Sequence, residues 1–223
     1  MKSKRIIWLC LFIWTMVLTV GIAQEREVRP IIVIDPGHGG TDTGATSIDA
    51  SFEKDIVFQL SQQILVLNRT VLEDPLQLYL TRYSDTLISL KDRGRLSHSL
   101  KADLFISLHG NHAPNPEAQG LEVFVWRPFS NAQPPFRAAS VKLAETIAVE
   151  LHQQLDLKYR GIKQANFQVL RDNRLQCPAV LLELGFLSNG EESNYLKSER
   201  GIRAMALAIL MAISKYLRDV GAH

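Results

Sequence analysis

The chain has 223 residues, 46% of them hydrophobic, which is enough apolar material for one sizeable core and points to a single domain. Its formal net charge of +2 arises entirely in the first 23 residues, where Lys2, Lys4 and Arg5 stand without an acidic neighbour; from Gln24 onward 22 basic residues face 23 acidic ones. That balance, with no dense Lys/Arg run, excludes a nucleic-acid-binding surface despite the sequence pI of 8.6. The basic start, the apolar run from Ile6 to Ile22 and the small residues Gly21 and Ala23 predict a signal peptide over residues 1–23. The run is somewhat long for a signal peptide and short for a spanning helix, so an uncleaved anchor is the alternative. Both readings put the rest of the chain in the periplasm or outside the cell. Cys10 lacks the context of a lipoprotein signal. Cys177 is then alone, which rules out an internal disulfide. A buried, inert thiol is expected there, with a Cys–His nucleophile as the other reading.

Residues 24–30 read as a short polar linker, and residues 31–218 as one catalytic domain. Strands are predicted over 31–35, 76–81, 104–109, 121–126, 166–170 and 179–184, with helices over 52–67, 91–100 and 140–155 and a last helix after Ser198. The helix spacing is amphipathic: Ile56, Leu60, Ile64 and Leu67 share one face, and Ile202, Met205, Ile209, Ile213 and Tyr216 another. Ser140 is the expected cap of its helix. Alternating strands and helices predict a single α/β domain, a mostly parallel sheet with helices on both faces. Residues 127–135 (RPFSNAQPP) form the clearest irregular stretch.

Two predicted strands deliver a histidine at the carboxyl end. The run IIVID stops at Pro36 and Gly37, and His38 follows among glycines; LFISL runs into His109. Ligands of open α/β sheets bind beyond the carboxyl ends of strands, and neutral imidazole is the commonest metal ligand among side chains. A catalytic metal site needs about three protein ligands and an open position. Glu53, at the start of the first long helix and one loop beyond His38, is the best third ligand; complementing the helix dipole is its ordinary alternative. Glu183 interrupts the otherwise apolar run AVLLELGF. A carboxylate there must meet a cation, a donor network or an activated water, because its desolvation costs several kcal/mol. Two imidazoles and one carboxylate suit zinc better than magnesium. With Glu183 as proton carrier they make a machine for metal-assisted amide hydrolysis. Asn111, His112 and Asn166 are the candidate substrate-binding residues, His112 as a rim residue whose metal ligation is the minority reading. His98 and His152 are expected on solvated helix surfaces. Asp35 and Asp55 are candidates for orienting the ligands, or for ordinary capping and ion pairing.

The ordered set IDPGHGGTDTGA, FEKDIVFQLSQQI, LTRYSD, LKDRG, ADLFISLHGN, QGLEVFVW, QANFQVLR and PAVLLELGFLSN resembles the zinc-dependent N-acetylmuramoyl-L-alanine amidases of bacterial cell walls, over roughly residues 31–217. The resemblance implies one zinc ion held at His38, Glu53 and His109 and a catalytic role for Glu183. It implies cleavage of the amide joining N-acetylmuramic acid to the L-alanine of the stem peptide, and a six-stranded central sheet. Peptidoglycan or muropeptides are the implied partners. His112 departs from the family, which has a small residue there. Some members carry an extra helix between the strand ending near Trp126 and the helix near Ser140, and it blocks the zinc. Here the interval is a short Pro-containing loop, so activity without a protein activator is expected; the protein is expected to be a monomer. A zinc carboxypeptidase and a non-catalytic wall-binding protein are the competing readings.

Overall fold

A computed structural model describes residues 29–128 and 134–221. The predicted signal peptide and most of the linker lie outside the described residues, as does part of the 127–135 loop. Six strands form one sheet: β1 (Ile31–Pro36), β2 (Gln77–Leu80), β3 (Leu104–Asn111), β4 (Leu121–Trp126), β5 (Tyr159–Ala165) and β6 (Ala179–Phe186), in spatial order β2-β1-β3-β6-β4-β5. The first four in that order run parallel; β4 is antiparallel to β6, and β5 parallel to β4. The central strands β1, β3 and β6 are buried almost end to end, which explains their unbroken apolar runs.

Helices α1 (Glu53–Thr70), α3 (Arg137–Leu155) and α6 (Glu199–Gly221) cover one face. They bury Leu60, Ile64, Ala144, Ile147, Ile209 and Ile213 against Ile34, Ile106, Val123 and Leu182. The other face carries Val33, Phe105 and Leu181, packed with Val169 and Leu170 of α4 (Gln168–Asn173) and with Leu100 at the end of α2 (Leu90–Leu100). A short α5 (Gly190–Lys197) follows β6. Helices on both faces of a mostly parallel sheet are what the sequence predicts. Among the described residues no helix is long and apolar enough to cross a membrane.

Three local expectations are corrected. The fifth strand is Tyr159–Ala165, not 166–170. YRGIKQA lies at the sheet edge, half exposed, and carries no apolar run to mark it. The pair Val169–Leu170, which suggested a strand, is buried from a helical turn instead. The third helix begins at Arg137, with Phe136 at its N-cap, so Ser140 is inside the first turn. Its hydroxyl donates to the Phe136 carbonyl and accepts from the Ala179 amide, tying α3 to β6. Helix α5 was not foreseen, although Asn189 and Glu192 spell its start: the Asn189 side chain accepts from the Glu192 amide. Cys177 is buried as expected, and burial pushes its thiol up to about 12, which leaves it unreactive at neutral pH.

Candidate metal centre

Strand β1 ends in a tightly knit loop. Asp35, 1% exposed, accepts from Thr81, Arg93 and Ser107 at 2.6, 2.7 and 2.7 Å. Arg93, also buried, donates in addition to the carbonyls of Pro36 and His38 at 2.8 and 2.7 Å. Arg82 donates to the Pro36 and Gly37 carbonyls from the other side, at 3.1 and 3.0 Å. Two guanidinium groups thus hold the backbone that carries His38, whose φ is +57°, a conformation uncommon for a residue with a side chain. Asp35 therefore does act on the site, through the loop; Asp55 is exposed. Removing Arg93 strands a buried carboxylate. Arg93→Ala is expected to cost about 3–5 kcal/mol of folding stability, read as a lowered urea midpoint.

His109 reaches the same place from β3, and Glu53 from the first turn of α1. Glu53, 3% exposed, is the hub. Its Oε1 lies 2.8 Å from His109 Nδ1 and 3.1 Å from His38 Nε2 and accepts the Gly110 amide at 3.0 Å. Its Oε2 accepts the Ala45 amide at 2.8 Å. The two imidazole rings meet edge to face, 4.9 Å between centroids. A side chain at Gly37 would lie 2.3 Å from the His109 ring, and one at Gly44 would lie 2.5 Å from Glu53 Oε2; glycine leaves the room that the His109 and Glu53 side chains occupy.

One ligand atom from each of His38, Glu53 and His109 lies within 4.8 Å of the others. The donor set is that of a catalytic zinc site, and its donor atoms lie close enough together to share one ion, so the residues fit such an ion. Asp42 Oδ2 stands 2.9 Å from the outer nitrogen of His38, an ion-pair contact rather than an aligned hydrogen bond. Metal-binding histidines commonly have a carboxylate in this position, on the ring nitrogen away from the metal. Sequence reasoning missed Asp42; its position four residues after His38 was the available signal.

The charges are coupled. Burial alone would lower the His38 pKa, but the hydrogen bond and charge of Glu53, aided by Asp42, raise it to about 9. Burial likewise opposes ionisation of Glu53, yet the two imidazoles hold its carboxyl far below the usual range. Glu183 behaves in the opposite way. It stands beside His109 in the β3–β6 register, and its Oε2 is buried without a hydrogen-bond partner. Burial pushes it up to about 7, with the Glu53 and Glu122 charges adding and His109 and His38 opposing. Among the described residues no lysine or arginine pairs with it. The ordinary alternative of a structural salt bridge is therefore not what the chain builds.

These groups line a cleft of about 750 Å³. Its walls include Asn111, the exposed His112, and Phe167 and Gln168 at the start of α4. Asn166 is not part of that lining; its side-chain oxygen accepts from Trp126 and Arg171, each at 3.3 Å. Asn111 donates to Glu122 at 3.2 Å. His98 and His152 lie on helix surfaces as expected, bonded to the carbonyls of Asp172 and Leu157.

The model of the family described as "Amidase_3: N-acetylmuramoyl-L-alanine amidase" matches residues 32–215. The probable cell wall amidase LytH of Staphylococcus aureus is 31% identical over 209 residues, covering 91% of this chain. The chain spans 65% of the length of such curated relatives. The solved catalytic domain of CwlV, an N-acetylmuramoyl-L-alanine amidase from Bacillus (Paenibacillus) polymyxa var. colistinus, is 32% identical with a TM-score of 0.75, over 85% of this chain and 98% of that one. The CwlD amidase of Clostridioides difficile, solved in complex with the GerS lipoprotein, is 29% identical with a TM-score of 0.74, over 85% and 99% of the two chains. The fold, the convergence of His38, Glu53 and His109 beside Glu183, and these likenesses agree: the chain belongs to the N-acetylmuramoyl-L-alanine amidase family.

Proposed function

We propose that this protein is a zinc-dependent N-acetylmuramoyl-L-alanine amidase, which hydrolyses the amide between the lactyl group of N-acetylmuramic acid and L-alanine in peptidoglycan. The observation that carries the reading is the partnerless carboxyl of Glu183, poised near neutrality beside a three-ligand cluster. His38, Glu53 and His109 would hold one zinc ion. A zinc ion held there would supply Lewis-acid polarisation of the scissile carbonyl and lower the pKa of the attacking water. Glu183 would take a proton from the attacking water and deliver it to the leaving amine nitrogen, its buried carboxyl being free of any cationic side-chain partner among the described residues. Asp42 orients His38, and the Arg82–Arg93 pair fixes the loop beneath it. Asn111 and His112, on the cleft wall, are placed to touch substrate.

The substrate puts the site of action outside the cytoplasm, in the periplasm or beyond it, with residues 1–23 as the export signal and residues 31–218 as the catalytic unit. The isolated chain is expected to act without a protein activator. The test is release of stem peptides from purified sacculi. It should cease with a chelator and return with zinc; release that survives chelation contradicts the proposal.

A further inference from the structure

We propose that Arg160 and Lys163 form a carboxylate-binding subsite for the peptide arm of the substrate. The inference rests on the amidase reading above and extends it to the part of the substrate that leaves.

In the β4–β6 register Glu122 stands opposite Glu183, and Phe124 opposite Leu181; in the β4–β5 register Phe124 stands opposite Lys163. Residues opposite one another across a strand pair share a face, with Cβ atoms about 5 Å apart. His109, Glu183 and Glu122 therefore form one row across three strands. The alternate residues Val123 and Val125 belong to the core under α3, so the row lies on the opposite face, the face of the cleft.

Glu122 is 4% exposed. Its Oε1 accepts from both Arg160 Nε and Lys163 Nζ, each at 2.6 Å, while the side chains of those cations remain 35% and 39% exposed. Its Oε2 accepts from Asn111. Two cations thus share one carboxylate. Neither makes a second salt bridge among the described residues. Arg160 is further engaged by the Gln119 carbonyl, the Phe186 ring and the charge of Glu192, so Lys163, 39% exposed and held by Glu122 and the Phe124 ring, is the cation more open to a ligand, next in line after Glu183. The floor beyond is aromatic. The Lys163 ammonium is 5.9 Å from the Phe124 ring, which packs edge-on against Phe167 of the cleft wall at 5.2 Å.

The direction follows from the proton transfer. Glu183 must reach the leaving nitrogen, so the peptide bearing that nitrogen departs over the Glu183 side, across β6 towards β4 and β5. The carbonyl side of the bond lies over β1 and β3, with His38, Glu53 and His109. A carboxylate on the departing peptide would meet the half-exposed Lys163 ammonium, with Arg160 beside it, in a charge-assisted hydrogen bond.

The test is binding of two muropeptides, one with its peptide carboxylates free and one with them amidated, to the zinc-loaded full-length chain carrying Glu183→Gln, so that nothing is turned over. Titration calorimetry should show the acidic form bound about five- to tenfold more tightly. Lys163→Gln, and separately Arg160→Gln, should bring that ratio towards one. Equal binding of the two ligands, or a preference that survives both substitutions, overturns the subsite. If either substitution unfolds the chain, the acid-to-amide ratio without it decides: it should shrink as salt rises, and a salt-independent ratio overturns the proposal. Because binding is read without turnover, failure of the unsubstituted enzyme to hydrolyse either ligand counts against the amidase reading and leaves this result standing.

Discussion

Glu183→Gln is expected to lower turnover by about 10²- to 10⁴-fold, the usual contribution of a positioned proton carrier, while one zinc ion per chain still binds. The same substitution should stabilise the metal-free protein at alkaline pH. The folded-state pKa of about 7 lies above the ordinary 4.5, so between those values the folded chain keeps a proton that the unfolded chain has lost. Stability then falls as pH rises through the window. The full shift corresponds to about 3 kcal/mol, an upper value because a buried glutamine amide has its own desolvation cost. Urea melts at pH 5 and pH 8, with chelator present, measure the difference. The unsubstituted protein should lose more stability between the two than Glu183→Gln. Equal losses would mean that Glu183 titrates normally and is no neutral-pH base.

Zinc affinity should rise steeply with pH. In the metal-free protein His38 holds its proton up to about pH 9, and a ligating imidazole must be neutral. Each pH unit below that value therefore costs about tenfold in affinity. At pH 7 close to one proton should leave His38 for each zinc bound, read from the dependence of the calorimetric heat on buffer ionisation. The linked stability has a definite sign. The contribution of protonated His38 is complete below its ordinary value of 6.5 and is lost as pH rises through about 9. Zinc should therefore stabilise the fold most on the alkaline side. An affinity flat between pH 6 and 9 contradicts the Glu53–His38 coupling.

The central strands and the large helices were legible because burial on both faces demands unbroken apolar runs and a 3.6-residue stripe. The two histidines were legible for a related reason: each ends such a run, where side chains leave the core and meet solvent. Glu183 stood out because it breaks an apolar run. Edge strand β5 was not legible. Its partners are on one side only, its residues are half exposed, and nothing in YRGIKQA alternates. Helix α4 was misread because two adjacent apolar residues satisfy a strand or a single helical turn equally well. Asp35 and Asn111 were singled out in the sequence, but the partners that fix them were not legible. Asp35, Thr81, Arg93 and Ser107 come from four segments, and Glu122, Arg160, Lys163 and Asn111 from three strands. Such networks are set by strand order and register, which no local pattern carries.

The most direct test of the whole account is mass spectrometry of the products that the zinc-loaded protein makes from a defined muropeptide. The account predicts an intact stem peptide with a new amino terminus on L-alanine, and a sugar that keeps its lactyl carboxylate. Loss of a single terminal amino acid, with the sugar–peptide amide intact, would contradict it and identify a carboxypeptidase instead.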